Sequence, residues 1–176
     1  MQGTPSPSSP SVDTTLPPGK DWLFDYRQID RARPLADRDE IARWIPHRGH
    51  MALLDQVIWV TESASQGLAV KRIRDDEFWV PGHFPGNPLF PGVLQIESGA
   101  QLACFMFVFR KSGPKSPVFL RIENAAFRSG VVPGDELILL CREFKNQKRR
   151  FISDVQGLVR DRVAFEARIS GMIMDA

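Results

Sequence analysis

The sequence predicts an α+β fold in which one long buried helix is wrapped by a curved antiparallel sheet. Two observations carry this. Residues from about Pro91 to Arg110 are apolar nearly all round, through Leu94, Ile96, Ala100, Leu102, Ala103 and the run Phe105 to Phe109, so a helix there has no solvent face. Six strand-like stretches flank it, two before and four after, with short turns between neighbours. Consecutive strands joined by short turns pair antiparallel. A helix apolar on all sides must be covered, and a curved sheet is the available cover.

The elements follow in order. Residues 1–20 are rich in Pro, Ser, Thr and Gly, offer little to bury and read as a disordered tail. Residues 21–176 form a single domain. Within it, 21–40 read as an N-terminal arm, with Trp22, Leu23, Phe24, Tyr26 and Ile29 able to pack on a core. Asp37 to Trp44 reads as a short helix with an acidic first turn, closed by Pro46. Gln56–Glu62 and Gln66–Arg74 read as strands joined through Ser63-Ala64-Ser65. Asp75 to Phe90 is a long connection, and Pro91 suits the first turn of the helix, where its missing N–H costs nothing. Ser112-Gly113-Pro114 stops the helix. Strands are then expected over about 117–128, 135–145, 149–160 and 163–174. Pro133-Gly134-Asp135, Asn146-Gln147 and Asp161-Arg162 separate them.

The chain of 176 residues is long enough for one sizeable core. A net charge of +2 gives no cationic field of the kind that binds nucleic acid. No apolar run is expected to reach the roughly 18–20 residues of a membrane span, because Arg110 and Lys111 interrupt it. Two cysteines, Cys104 and Cys141, make no disulfide framework, and no secretory leader pattern is visible. The expected compartment is the cytoplasm.

The most informative segment is His83-Phe-Pro-Gly-Asn-Pro-Leu-Phe-Pro-Gly-Val-Leu-Gln-Ile-Glu97. It places an imidazole in a loop stiffened by Pro85, Pro88 and Pro91, and a carboxylate inside the apolar helix. Imidazole titrates near neutral pH and suits a general base. A carboxyl among apolar neighbours is expected to favour its protonated form and so to suit a general acid. Gln101 lies one turn beyond Glu97 and shares its face, where it is expected to orient Glu97, bond a water beside it or make an interface hydrogen bond. His47 and His50 stand three apart, but without a third ligand they read as part of the lead-in to the first strand rather than as a metal site.

Residues 82–101, Gly-His-Phe-Pro-Gly-Asn-Pro-Leu-Phe-Pro-Gly-Val-Leu-Gln-Ile-Glu-Ser-Gly-Ala-Gln, resemble the signature of the 3-hydroxyacyl-acyl-carrier-protein dehydratases of type II fatty acid synthesis. Ile45-Pro46-His47-Arg48 with Leu54-Asp55, and Phe127-Arg128 with Val132-Pro133-Gly134-Asp135, support the resemblance, which covers about residues 41–174. It implies the hot-dog fold and a homodimer, in some members a trimer of dimers, with the His of one subunit facing the acid of the other. Carried over by position, His83 is the catalytic base and Glu97 the catalytic acid. The N–H of Val93 holds the thioester oxygen, with Phe84, Pro91, Gly92 and Gln101 beside the substrate. The resemblance implies no metal and no bound cofactor: the acyl chain arrives on the phosphopantetheine of an acyl carrier protein. Arg110, Lys111, Lys115, Lys145, Lys148, Arg149 and Arg150 are either solvated surface or a receiving patch for that acidic partner.

The chain departs from the family pattern in places. His50 stands where proline is usual, Ser98-Gly99 replaces Ala and an apolar residue, and Arg121 lies where a small residue is common. The family's tyrosine on the strand after the helix is absent; Pro117-Val118 takes its place and Tyr26 is the chain's single tyrosine. The acid is Glu where the isomerising relatives carry Asp, which favours dehydration alone. Three other activities stay open on the sequence: a hot-dog thioesterase with Glu97 as base, a CoA-linked hydratase, and a non-catalytic acyl-binding subunit.

Overall fold

The structure is a computed structural model that describes residues 21–111 and 117–173. The tail at 1–20, the helix stop at 112–114 and Lys115 lie outside the described residues. A two-residue strand β1 (Ala36–Asp37) leads into α1 (Arg38–Trp44), a 3₁₀ turn (Gly49–Met51), β2 (Gln56–Val60) and β3 (Gln66–Arg72). The long helix α2 (Gly92–Arg110) precedes β4 (Pro117–Phe127), β5 (Glu136–Asn146), β6 (Arg150–Val159) and β7 (Arg162–Ile173). All strand pairs are antiparallel, in the order β1-β2-β3-β5-β6-β7-β4.

The expected strands appear with ends shifted by one or two residues. The short β1 and the 3₁₀ turn carry too few residues to show a period. Asp37 lies outside α1 as its N-cap, accepting from Glu40 N–H. Pro91 likewise caps α2 instead of occupying its first turn, because its ψ of 130° is not helical. The β6–β7 turn is Arg160-Asp161, with positive φ at both (48° and 62°), so Arg162 already belongs to β7. Such a two-residue turn matches the right-handed twist of the strands.

The concave face of the sheet grips α2. Leu102, Phe105, Phe107 and Val108 are buried against Leu137, Leu139, Val155 and Phe165, and Trp44 of α1 packs its ring 5.4 Å from that of Phe109. At Gly99 an added Cβ would stand 3.0 Å from Val155, so glycine here permits close contact of helix and sheet. By length and composition α2 is long and apolar enough to cross a membrane, which corrects the expectation that no run would be; most of it is buried inside the fold.

The convex face is covered by the arm. Trp22, Leu23, Phe24, Tyr26 and Ile29 pack on Ile58, Leu68, Val70, Ile138, Leu140 and Leu158. Gln156 accepts from Leu23 N–H and donates to Asp21 O, and the Tyr26 hydroxyl bonds Asp161 of the β6–β7 turn. Burial and that carboxylate together push the phenol's pKa up.

The two edges of the sheet differ. β1 is too short to invite pairing. β4 spans eleven residues and leaves Val118, Phe119, Leu120 and Ile122 exposed. A long apolar edge of this kind is a template for another strand.

The loop after β3 is anchored by a buried ion pair. Lys71, 1% exposed, donates to both carboxylate oxygens of Glu77 at 3.0 and 2.9 Å. Trp79 Nε1–H also donates to Glu77, and Lys71 sits 5.2 Å from the centre of the Phe90 ring. Burial lowers the Lys71 pKa, and Glu77 opposes that shift. Removing one partner strands a buried charge, at a cost of about 3–5 kcal/mol. Lys71→Ala is therefore expected to lower unfolding stability by about that amount in a urea titration; a change under about 1 kcal/mol would mean the pair does not anchor the loop.

Candidate active site

The His83 loop is a compact hydrogen-bonded unit. Phe84 and Asn87 exchange backbone bonds at 3.2 and 3.0 Å across Gly86, whose φ of +73° suits glycine. His83 N–H donates to Trp79 O, and His83 O accepts from Leu89 N–H at 2.7 Å. His83 Nδ1 lies 2.6 Å from Leu89 O. A carbonyl oxygen only accepts, so Nδ1 carries the proton and Nε2 keeps the free lone pair. The imidazole thus leaves Nε2 free to accept a proton.

That ring opens into a cleft of about 570 Å³ with Pro91, Gly92, Val93, Phe127 and Arg128 on its walls. Leu94 N–H and Gln95 N–H both bond Pro91 O, so the helical bonding starts at those two donors. Gly92 and Val93 occupy the first helical positions, where N–H groups have no intrahelical acceptor and the helix dipole is positive. Val93 is 70% exposed. A Cβ on Gly92 would come within 2.7 Å of the Phe127 ring, so this glycine is needed for the close approach of β4. Gln95, not singled out in the sequence, donates to Phe90 O and holds the chain as it enters the helix. Phe84 is not on the cleft wall: it stacks on His83 at 4.1 Å and is otherwise exposed.

Glu97 opens elsewhere. It lines a separate, smaller cavity of about 70 Å³ with His47, Cys104, Val118 and Phe119. Gln101 Nε2–H donates to Glu97 Oε1 at 2.9 Å, and His47 Nε2 stands 3.3 Å from the same oxygen. Glu97 is thus bonded by an amide and faces an imidazole, and does not pair with the arginine that a buried carboxylate would otherwise call for. Gln101, 1% exposed, also donates to Met51 O and accepts from Leu53 N–H. It lies behind Glu97 and reaches the segment before β2. Burial and the nearby Glu97 push the Cys104 thiol up to about 12, which keeps it a neutral wall residue.

Four of the expected site residues, His83, Pro91, Gly92 and Val93, therefore share one cleft, while Glu97 lines another and Gln101 lies behind it. The sequence missed His47 as a neighbour of Glu97. Spacing alone gave no signal of it, because the contact joins segments fifty positions apart. His50 points elsewhere and packs on Phe78 at 5.5 Å.

A family model described as a FabA-like domain matches residues 45–168. The chain belongs to the FabA-like family. It is 31% identical over 166 residues to a 3-hydroxyacyl-[acyl-carrier-protein] dehydratase FabZ of Helicobacter hepaticus, covering 87% of this chain and 98% of that one. It is 36% identical over 146 residues to the FabZ of Campylobacter hominis, covering 80% and 99%. Among solved structures, a dehydratase heterocomplex, ApeI:P of Xenorhabdus doucetiae, aligns with a TM-score of 0.67 at 18% identity over 77% of this chain and 91% of that one. That likeness shows the fold, a hot-dog arrangement of helix and sheet.

The Gln101 contacts make a direct test of how this half of the site is supported. Gln101→Leu keeps the volume but leaves the Met51 carbonyl and the buried Leu53 N–H unpaired. Each such group costs about 1–3 kcal/mol. Denaturant unfolding is expected to show a loss of about 2–4 kcal/mol; no measurable loss would mean water replaces the amide.

Proposed function

We propose that the protein is a 3-hydroxyacyl-[acyl-carrier-protein] dehydratase acting as a homodimer. The observation that carries this is the placement of the two clefts along β4. The His83 cleft is walled by Phe127 and Arg128 at the C-terminal end of that strand, and the Glu97 cavity by Pro117, Val118 and Phe119 at its N-terminal end. A two-fold axis pairs the same patch on both subunits. Two β4 edges related by such an axis run antiparallel, so the beginning of one lies against the end of the other. His83 of one subunit then faces Glu97 of its partner, and the exposed apolar edge is covered.

In this reading a 3-hydroxyacyl thioester reaches the site on the phosphopantetheine of an acyl carrier protein. His83 Nε2 removes a proton from C2. The N–H groups of Gly92 and Val93 hold the thioester oxygen as negative charge develops there, the stabilisation that preorganised donors supply best. Glu97, protonated, gives its proton to the 3-hydroxyl, which leaves as water while the C2–C3 double bond forms. The product is a trans-2-enoyl thioester. His83 ends the cycle protonated and Glu97 ionised, and proton return between them resets the pair. Pro91 fixes the direction of the helix start, and Phe84, stacked on His83, limits how the ring turns. The residues ask for no metal, a dimer suffices, and the expected setting is the cytoplasm and fatty acid synthesis.

The decisive assay offers 3-hydroxyacyl thioesters of several chain lengths on carrier protein and on CoA, and follows enoyl formation and free thiol in parallel. Enoyl product without thiol release is expected. Thiol release without enoyl product would replace this reading with a thioesterase. His83→Ala and Glu97→Gln are each expected to lower the rate by at least about a hundredfold while leaving the fold intact, as loss of a general base or acid does.

A further inference from the structure

We infer that His47 is the positioning residue of Glu97: as a neutral imidazole with its proton on Nε2, it fixes Oε1 of the carboxyl and leaves Oε2 as the oxygen that carries the transferable proton. The inference rests on the reading of Glu97 as the acid.

Three observations support it. First, His47 Nε2 stands 3.3 Å from Glu97 Oε1, and Gln101 Nε2–H donates to that same oxygen at 2.9 Å. Both groups approach one oxygen, which asymmetrically loads the carboxyl. Second, His47 Nδ1 is buried and has no hydrogen-bond partner among the described residues. A buried N–H without an acceptor is rarer and costlier than an unused acceptor lone pair. The proton of a neutral ring therefore belongs on Nε2, which faces Glu97 Oε1. A proton on Nδ1 would be a buried N–H with no acceptor among the described residues. Third, the backbone that carries the ring is fixed. Arg48 donates to Ile45 O at 2.7 Å, to His47 O at 2.8 Å and to Ala42 O at 2.6 Å, which ties the turn after α1 together.

The chemical consequence is specific. An oxygen that accepts from Gln101 Nε2–H and faces His47 Nε2 at 3.3 Å has little room for a proton of its own. Protonation falls on Oε2, which neither His47 nor Gln101 contacts. The 3.3 Å separation is long for a hydrogen bond, and catalytic bonds of this kind tighten when substrate is present. His47 touches no reacting atom in this scheme and acts only through Glu97.

The test uses three full-length variants and one spectrum. His47→Ala removes the donor, His47→Leu restores volume without a donor, and His47→Gln places an amide N–H near the position of Nε2. His47→Ala and His47→Leu are expected to lower kcat about ten- to a hundredfold with KM changed less than about twofold, as misplacement of a reacting group does. His47→Gln is expected to recover most of the rate. Equal rates in His47→Leu and His47→Gln would overturn the inference, because packing alone would then explain the residue. Proton–nitrogen correlation spectra of histidine-labelled wild-type protein are expected to show His47 protonated at Nε2 alone. A resonance pattern with the proton on Nδ1, or on both nitrogens at neutral pH, would also overturn it. That spectrum needs no turnover, so it decides the role of His47 even if the wild type forms no enoyl product and the dehydratase reading itself fails.

Discussion

The site depends on a conflict within α2. This helix must be buried because it is apolar all round, and yet it carries Glu97 and begins with free N–H groups that need a polar ligand. The sheet resolves the conflict by wrapping the helix without closing over either polar part. The helix start is left open beside His83, and one face of the second turn is left open beside His47. Both openings lie along β4, the one long strand edge without a partner among the described residues. Burial of the helix and exposure of the chemistry are thus two results of one wrapping.

The loop that carries His83 is tied to this arrangement at several points. Its backbone bonds close on themselves between His83 and Leu89, and Phe90 N–H bonds Val131 O on the strand side. Beneath it the Lys71–Glu77 pair and Trp79 hold the base of the loop. An imidazole on such a support keeps its tautomer through a bond to a backbone carbonyl, which no side-chain motion can withdraw. The Glu97 side follows a different plan: its supports are two side chains, Gln101 and His47, from separate segments. His83 is held by backbone and Glu97 by side chains, and mutations beside them should therefore differ in reach.

Much of this was legible in the sequence because the signals were local. All-round apolarity located α2, alternating strands with short turns located six of the seven strands, and the segment from His83 to Glu97 singled out two residues that each line a cleft. What escaped was either too short or too distant. The strand Ala36–Asp37 has no period to detect. Pro91 reads as a first-turn residue until its ψ shows it to be the cap. The apparent interruption of α2 by charge at Arg110 came too late to shorten its apolar stretch. The contact of His47 with Glu97 joins the turn after α1 to the second turn of α2, and only the packed fold brings them together. The separation of His83 and Glu97 into two clefts is likewise invisible in a motif that presents them as near neighbours.

The central claim is that base and acid meet only across a dimer. Subunit complementation tests it most directly. His83→Ala and Glu97→Gln proteins, each inactive alone, are unfolded together, refolded as a mixture and assayed for enoyl formation. A two-fold dimer with sites shared between subunits regains one intact site in each mixed dimer, so a random mixture should recover roughly a quarter of the wild-type rate. Recovery of no activity from a mixture shown to contain mixed dimers would contradict the account and return His83 and Glu97 to a single subunit.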